Sequence, residues 1–174
     1  TWLKDLQRLG IPYAILVGEG DDCLHGDVLE LDVPDSYEDL PAKSLKMAQW
    51  VLTNTAYQYV VKIDDDCYLN AEQFFNSLSY RKFHYYGRRL TREVGTMDRA
   101  WHHAKSSSER ARGALDKSLE PAVYADGGSG YSLSRYALQT LADVTVTAQG
   151  RRLIASSFME DKLMGDLLRL GDIR

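Results

Sequence analysis

Two cysteines in 174 residues, Cys23 and Cys67, make neither a disulfide framework nor a zinc site. Cys67, beside three aspartates, reads as a buried thiol. So few cysteines suit a reducing compartment, although a secreted domain of this size can also do without disulfides. No run of about 18 apolar residues occurs, which excludes a membrane-spanning segment, and no signal-peptide pattern opens the chain. A GxxxxGK loop is absent, and no GxGxxG follows the first strand. Nor is there a Ser/His/Asp or Cys/His pattern. His25, His84, His102 and His103 are scattered. His102 and His103 read as surface residues, and Trp101 beside them as a loop anchor or a sugar-stacking platform.

A net charge of −4 argues against nucleic acid as the main partner. The charge is uneven, with ten Lys/Arg against four Asp/Glu from Arg81 to Lys117. That segment is either a solvated loop or a surface facing an anionic substrate such as a nucleotide diphosphate. The hydrophobic content of 44% suffices for one domain.

Apolar runs at 13–18 and 57–63 read as buried strands, and 83–90 as a third. The stretch "GEGDDCLHGD" reads as a polar loop. A helix is expected within 36–54, opened by a Ser36/Asp39 capping box, and another after Asn70 as N-cap. Strand, glycine turn and strand follow in "AVYADGGSGYSLS". Ser134 caps a helix, a loop with Gly150 comes next, and a last helix is stopped by Gly171. Residues 91–120 lack periodicity, although "SSSERARGALDKS" leaves room for one short helix. Alternating strands and helices point to an α/β fold with a mostly parallel sheet, whose ligands gather at carboxyl ends of strands.

One such end carries "VVKIDDDCYLN". Read as extended chain, it turns Asp64 and Asp66 to the same side and Asp65 away. Unpaired, two such carboxylates would repel and raise one pKa. A hard divalent cation that takes carboxylates and substrate phosphates resolves the conflict. A solvated acidic turn is the alternative. Without a glycine cradle, a nucleotide would have to be held by that metal. Glu160 and Asp161 open the last helix, either as ordinary helix-terminus charge or with one of them as a general base. Gly127, Gly128 and Gly130 permit a hairpin turn or close approach to a ligand.

Four ordered segments then resemble the β-1,3-galactosyltransferase and fringe-like glycosyltransferases. "VVKIDDDCYLN" is similar to that family's K-x-DDD-x-F/Y-x-N. "DVPDSYEDLPAKSLKMAQWV" resembles its D-x-Y-x-N-L-x-x-K helix, with Lys43 and Trp50 in place. "GGSGYSLS" and "MEDKLMGDLLRLG" resemble its G-x-G-Y-x-L-S and E-D-x-x-x-G segments. "TWLKDLQRLGIPYAILVG" fits the region after the family's first strand. Lys162 stands where an apolar residue is usual, Asp39 where Asn is usual, and the cysteine often found before the glycine stretch is missing. The family's first strand would precede Thr1, and its metal-binding histidine would follow Arg174.

The resemblance implies a GT-A-like α/β fold, with a mostly parallel central sheet flanked by helices on both sides. Residues 1–174 would be one glycosyltransferase catalytic domain lacking its first strand and its C-terminal end. The implied reaction is inverting transfer of a hexose or N-acetylhexosamine from a UDP-sugar to a glycan acceptor hydroxyl, forming a β-linkage. Asp161 would be the catalytic base and Asp66 the direct Mn²⁺ ligand (Mg²⁺ being the other choice), helped by Asp64. Asp64 and Asp65 would also hold the donor. Glu160, Gly128 and Gly130 would line the cleft, and Lys43 is carried over as a substrate-binding residue. The compartment would be the Golgi lumen in a eukaryote and the cytoplasm in a bacterium. Two alternatives stay open: a HAD-like phosphatase or phosphotransferase, and a non-catalytic nucleotide-sugar-binding relative.

Overall fold

A computed structural model of the chain describes residues 2–92, 104–106, 122–157 and 159–174. The basic segment up to Lys117, with Trp101, His102 and His103, and the short helix considered within 106–118 lie largely outside the described residues.

Six α-helices and eight strands are described: α1 (Trp2–Arg8), β1 (Ile15–Val17), β2 (Cys23–His25), β3 (Val28–Glu30), α2 (Leu40–Asn54), β4 (Tyr59–Lys62), α3 (Ala71–Ser77), β5 (Tyr85–Gly87), β6 (Arg89–Arg92), β7 (Ala122–Ala125), β8 (Tyr131–Ser134), α4 (Arg135–Thr145), α5 (Ala148–Ser156) and α6 (Glu160–Leu170). The strands form three small sheets, ordered β1-β3-β2, β4-β8-β5 and β6-β7.

The expected mostly parallel sheet is not what the described pairings give. Only β1 and β3 pair in parallel, whereas β2–β3, β4–β8, β5–β8 and β6–β7 are antiparallel. The reason is an insertion. β4 and β5, joined through α3, run in the same direction, but β8 arrives later in the chain and lies between them, antiparallel to both. Strand–helix alternation signals a crossover and does not say which strand fills the gap.

Caps were the most legible local signals. Asn70 accepts a hydrogen bond from the Gln73 amide at 3.1 Å, and Ser134 accepts one from the Ala137 amide at 3.1 Å. Ser36 departs from expectation: its hydroxyl bonds the Asp39 carboxylate at 2.6 Å and makes no cap to the backbone. The loop expected around Gly150 is helix α5, capped by Thr147, whose hydroxyl accepts from the Gly150 amide at 3.0 Å.

The core gathers Met47, Ala48 and Val51 of α2, Leu138 and Leu141 of α4, and Leu163, Met164, Leu167 and Leu168 of α6 against Leu29 and Leu133. Arg135 ties this layer together. Its guanidinium bonds the carbonyls of Leu52 at 2.7 Å and Thr55 at 2.8 Å, putting a cation at the negative C-terminus of α2. Gly165 lets α6 lie directly on β7, because a Cβ there would fall 2.5 Å from the Tyr124 Cβ. Since Glu160 and Asp161 open the same helix, this close packing sets where they land. Among the described residues, no helix is long and apolar enough to cross a membrane.

Candidate active site

The antiparallel register of β4 and β8 builds the site. Lys62, the last residue of β4, stands opposite Tyr131, the first of β8. The aspartate triplet follows Lys62 and the glycine turn precedes Tyr131, so the pairing delivers both to one sheet end. β7 ends there too and runs through Asp126 into the Gly127–Ser129 turn.

The triplet is a turn rather than extended chain. The Cys67 amide bonds the Asp64 carbonyl at 3.2 Å, which corrects the same-side reading of Asp64 and Asp66. Asp64 accepts from the Lys62 ammonium at 2.7 Å, while Asp65 and Asp66 are exposed. Cys67 is half-buried rather than buried. Its thiol donates to the Gly128 carbonyl and so joins the triplet turn to the glycine turn. Tyr68 is 76% exposed.

The other half of the site is buried at Glu160 and Tyr131 and half-buried at Lys62 and Asp161. Glu160 accepts from the Tyr131 hydroxyl, also bonds the Ser44 hydroxyl of α2, and lies 3.6 Å from the Lys62 Nζ. The Lys62 ammonium sits 5.7 Å from the centre of the Tyr131 ring. Asp161 accepts from the Gly127 amide at 3.2 Å and from the Lys162 amide at 2.8 Å. Gly127 is small by necessity, because a Cβ would meet the Asp161 Cβ at 3.1 Å and the Glu160 Oε2 at 3.2 Å. Gly130 has φ +78°, and a Cβ there would come within 2.9 Å of the Lys62 carbonyl.

Electrostatics follow from burial. Desolvation pushes Glu160 above the usual carboxylate range, with Lys62, Tyr131 and Ser44 partly offsetting it. Asp161 is likewise pushed up by burial, and the two amides and Lys62 only partly restore it. Asp126, whose carboxylate accepts from the Ser129 hydroxyl at 2.6 Å, adds to that rise. Burial alone would lower Lys62, but Glu160 and Asp64 outweigh it and hold the ammonium above its ordinary value.

Asp64, Asp65, Asp66, Gly128, Gly130, Glu160 and Asp161 therefore surround one sheet end. Lys43 stands apart in its contacts. It is ion-paired with Asp35, whose carboxylate also takes the Gly18 amide and is held below the usual range, Lys43 being the larger cause. Among the described residues no bond links Lys43 to the triplet or to Asp161. Trp50 donates to the Asp22 carbonyl at 2.8 Å. Both motif residues of α2 thus brace the loops around β1 and β2. Lys162, standing where the resembled family usually has an apolar residue, is buried and paired with Asp166, which also binds Arg169 at 2.9 Å.

Sequence reasoning gave no role to Lys62, Ser44, Asp126 or Tyr131. Lys62 and Tyr131 stood in the K-x-DDD and G-x-G-Y segments, and Lys62 is also a lone cation inside the apolar "VVKI". Ser44 carried no such signal. Two cavities, of about 200 and 420 Å³, lie elsewhere: one beside Arg152 and Arg169, the other between α2 and α4 at Leu45 and Leu141.

The exposed turn offers hard carboxylate oxygens with room for water. That donor set fits Mn²⁺ or Mg²⁺, which retain several waters and bind one or two carboxylates together with substrate phosphates. It does not suit a soft cation.

A family model described as Galactosyltransferase matches residues 14–174. UDP-GalNAc:beta-1,3-N-acetylgalactosaminyltransferase 2 of Mus musculus is 34% identical over 76 residues, 44% of this chain and 15% of that protein. The Homo sapiens protein of the same name is 34% identical over 58 residues, 33% of this chain and 12% of its own length. The Xenopus tropicalis protein is 29% identical over 56 residues, 32% of this chain and 12% of its own length. The matched segments thus span well under a fifth of these relatives.

Proposed function

The chain belongs to the galactosyltransferase family, and we propose that it supplies the catalytic sheet end of an inverting UDP-sugar transferase that forms a β-linkage to a glycan hydroxyl. One observation carries the reading. The Asp64–Cys67 turn and the half-buried Asp161 meet at a single glycine turn, through Cys67 to Gly128 and Gly127 to Asp161. A donor diphosphate and an acceptor's general base need to share a cleft in this way. The glycosyltransferase family also leaves the HAD-like phosphatase alternative without support, since it rested on a D-x-D at a strand end alone.

In this proposal Asp66, with Asp64, would hold Mn²⁺ or Mg²⁺, and Asp64 and Asp65 would hold the donor's ribose or sugar. The bound metal would supply Lewis-acid stabilisation of charge on the departing diphosphate. The rest is done by the chain. An acceptor hydroxyl has a pKa far above neutrality, so its attack requires a carboxylate to take the proton as the bond forms. Asp161, fixed by two amides and raised by burial, is suited to that role. Lys62 opposes the rise that burial imposes on Glu160 and Asp161. Glu160, locked by Tyr131 and Ser44, would line the cleft with Gly128 and Gly130. Lys43 would act by bracing the Gly18 and Asp35 loops.

The test is a UDP-release screen on the intact protein with UDP-GalNAc, UDP-galactose and UDP-GlcNAc, each with and without Mn²⁺. UDP-GalNAc comes first because of the relatives' names. Metal-dependent release with one donor, increased by an acceptor, is expected. UDP binding by calorimetry without turnover of any donor would instead make this chain a non-catalytic binder. Asp66→Ala should weaken UDP binding only when Mn²⁺ is present, and a loss that ignores metal would refute the ligand assignment.

A further inference from the structure

The arm between β1 and β3 carries a cluster that the proposed reaction does not use. Asp21, Cys23 and His25 bring a carboxylate oxygen, a sulfur and an imidazole nitrogen within 4.8 Å of one another. Among the described residues, no other group of three or more His, Cys, Asp or Glu converges in this way. Cys23 and His25, at i and i+2, share one face of β2, and the turn at Asp22 brings Asp21 beside them. β2 is an edge strand paired with β3 alone, and all three residues are exposed.

The residue between the first two ligands fixes the arm. Asp22 has φ +64°. Its carboxylate accepts from the Asp32 amide at 2.8 Å and pairs with Lys46 at 2.9 Å, and its carbonyl accepts from Trp50 at 2.8 Å. Asp22 thus anchors the arm to α2 while Asp21, Cys23 and His25 face outward. Within the cluster, Asp21 accepts from the Cys23 amide at 3.2 Å and lies 3.5 Å from the His25 Nε2. Glu30 stands opposite Cys23 in the register and adds negative charge. The backbone is therefore set before any ion arrives, with Asp21 beside the imidazole and Glu30 opposite Cys23.

We propose that Asp21, Cys23 and His25 form a surface site for a borderline-soft divalent cation, Zn²⁺ being the reference, with water completing a tetrahedron. One sulfur, one nitrogen and one oxygen suit Zn²⁺ rather than the oxygen-seeking Mn²⁺. The cysteine count argued against a zinc site on sequence grounds. A mixed site needs only one cysteine, and His25 on the same strand with Asp21 beyond the Asp22 turn supplies the rest. Occupancy would fasten the edge of the β1-β3-β2 sheet on the side away from α2.

Cobalt titration of the protein tests this. One equivalent of Co²⁺ should produce a thiolate-to-metal absorption band in the near ultraviolet, and Zn²⁺ should remove it. Cys23→Ser should abolish the band, and Cys67→Ser should leave it. His25→Ala should weaken Co²⁺ binding by about tenfold or more, since loss of even an outer-sphere partner costs that much. A band that never forms, that survives Cys23→Ser, that is lost with Cys67→Ser, or that excess Mn²⁺ displaces would overturn the proposal. The three ligands are exposed, so the variants are expected to fold, and unchanged melting temperatures would confirm it.

Discussion

Replacing Asp161 by Asn separates chemistry from stability at one position. The carboxylate takes two amide donors, Gly127 at 3.2 Å on one oxygen and Lys162 at 2.8 Å on the other. An amide side chain has one oxygen, so Asn keeps one bond and sets its NH₂ against the second donor. That loss costs about 1 kcal/mol. Against it, burial already raises the Asp161 pKa, so the ionised carboxylate destabilises the fold at neutral pH and removing the charge recovers part of that. The two effects oppose, and the net change should stay within about 1 kcal/mol, or roughly 2–4 °C in melting temperature for a chain of this size. Transfer should fall much further. A positioned general base contributes about 10²–10⁴-fold, and Asn cannot accept the proton. The assays are thermal melting, UDP calorimetry with Mn²⁺, and UDP release with acceptor. Intact melting and binding with transfer lost is the expected result. Transfer near the wild-type rate would refute the base assignment, and gross unfolding would refute the opposing-terms argument.

Two further outcomes follow from the same network. Lys62 lowers the pKa of both Glu160 and Asp161, so Lys62→Met should move the acidic limb of the pH–rate profile to higher pH. The sign is fixed: without the cation both carboxylates stay protonated to higher pH, and the base form is lost earlier as pH falls. A limb that stays in place would separate Lys62 from the base. In the glycine turn, Gly130→Ala meets both φ +78° and the Lys62 carbonyl at 2.9 Å, and should destabilise by about 1–3 kcal/mol. Gly128→Ala meets only the Asp126 Oδ1 at 3.6 Å and should melt as the wild type does. Equal melting of the two would show that the turn tolerates side chains.

Much of the local structure was legible because it rests on short-range chemistry. Asn70 and Ser134 read as caps and act as caps. The apolar runs before Gly18 and before Asp64 hold strands β1 and β4. Failures arose where a distant partner decides. The insertion of β8 between β4 and β5 is a long-range event, invisible to periodicity. "FHYYGRRL" reads as one strand, yet β5 pairs with β8 and β6 with β7. Gly87, where β5 ends, packs so closely that a Cβ would lie 2.7 Å from that of Ala125. Gly171 stops α6 as expected, but its φ is −95° and the left-handed residue is Asp172 at +63°. Glycine is needed there for space against Thr140, whose Cγ2 would lie 2.1 Å from a Cβ. In the site, the motifs named the acidic residues and also held Lys62 and Tyr131, but that these two and Ser44, from three elements, converge on Glu160 follows no spacing rule.

The three adjacent aspartates prove less demanding than their neighbours. Two like charges about 4 Å apart in water repel by only about 1 kcal/mol, and Asp65 and Asp66 face water at an exposed turn. Asp64 has its counter-charge in Lys62. The triplet therefore persists without a cation to relieve it, and its acidity alone does not require one. The greater electrostatic cost lies one layer deeper. Glu160 is buried and Asp161 half-buried, and Lys62, paired with Glu160 and Asp64, lowers the pKa of both without offsetting their desolvation. Among the described residues, two carboxylates in a poorly solvated place thus lean on one cation, where desolvation is expensive. A fold selected for stability alone would substitute a neutral residue there. Close packing of α6 through Gly165 and the lack of a side chain at Gly127 hold this arrangement in place. A carboxylate kept above its ordinary pKa beside an open turn of hard oxygen donors fits the proposed roles of proton acceptor and metal-binding donor site. The physical case for catalysis thus rests on the Glu160–Asp161 pair, with the exposed triplet as its complement.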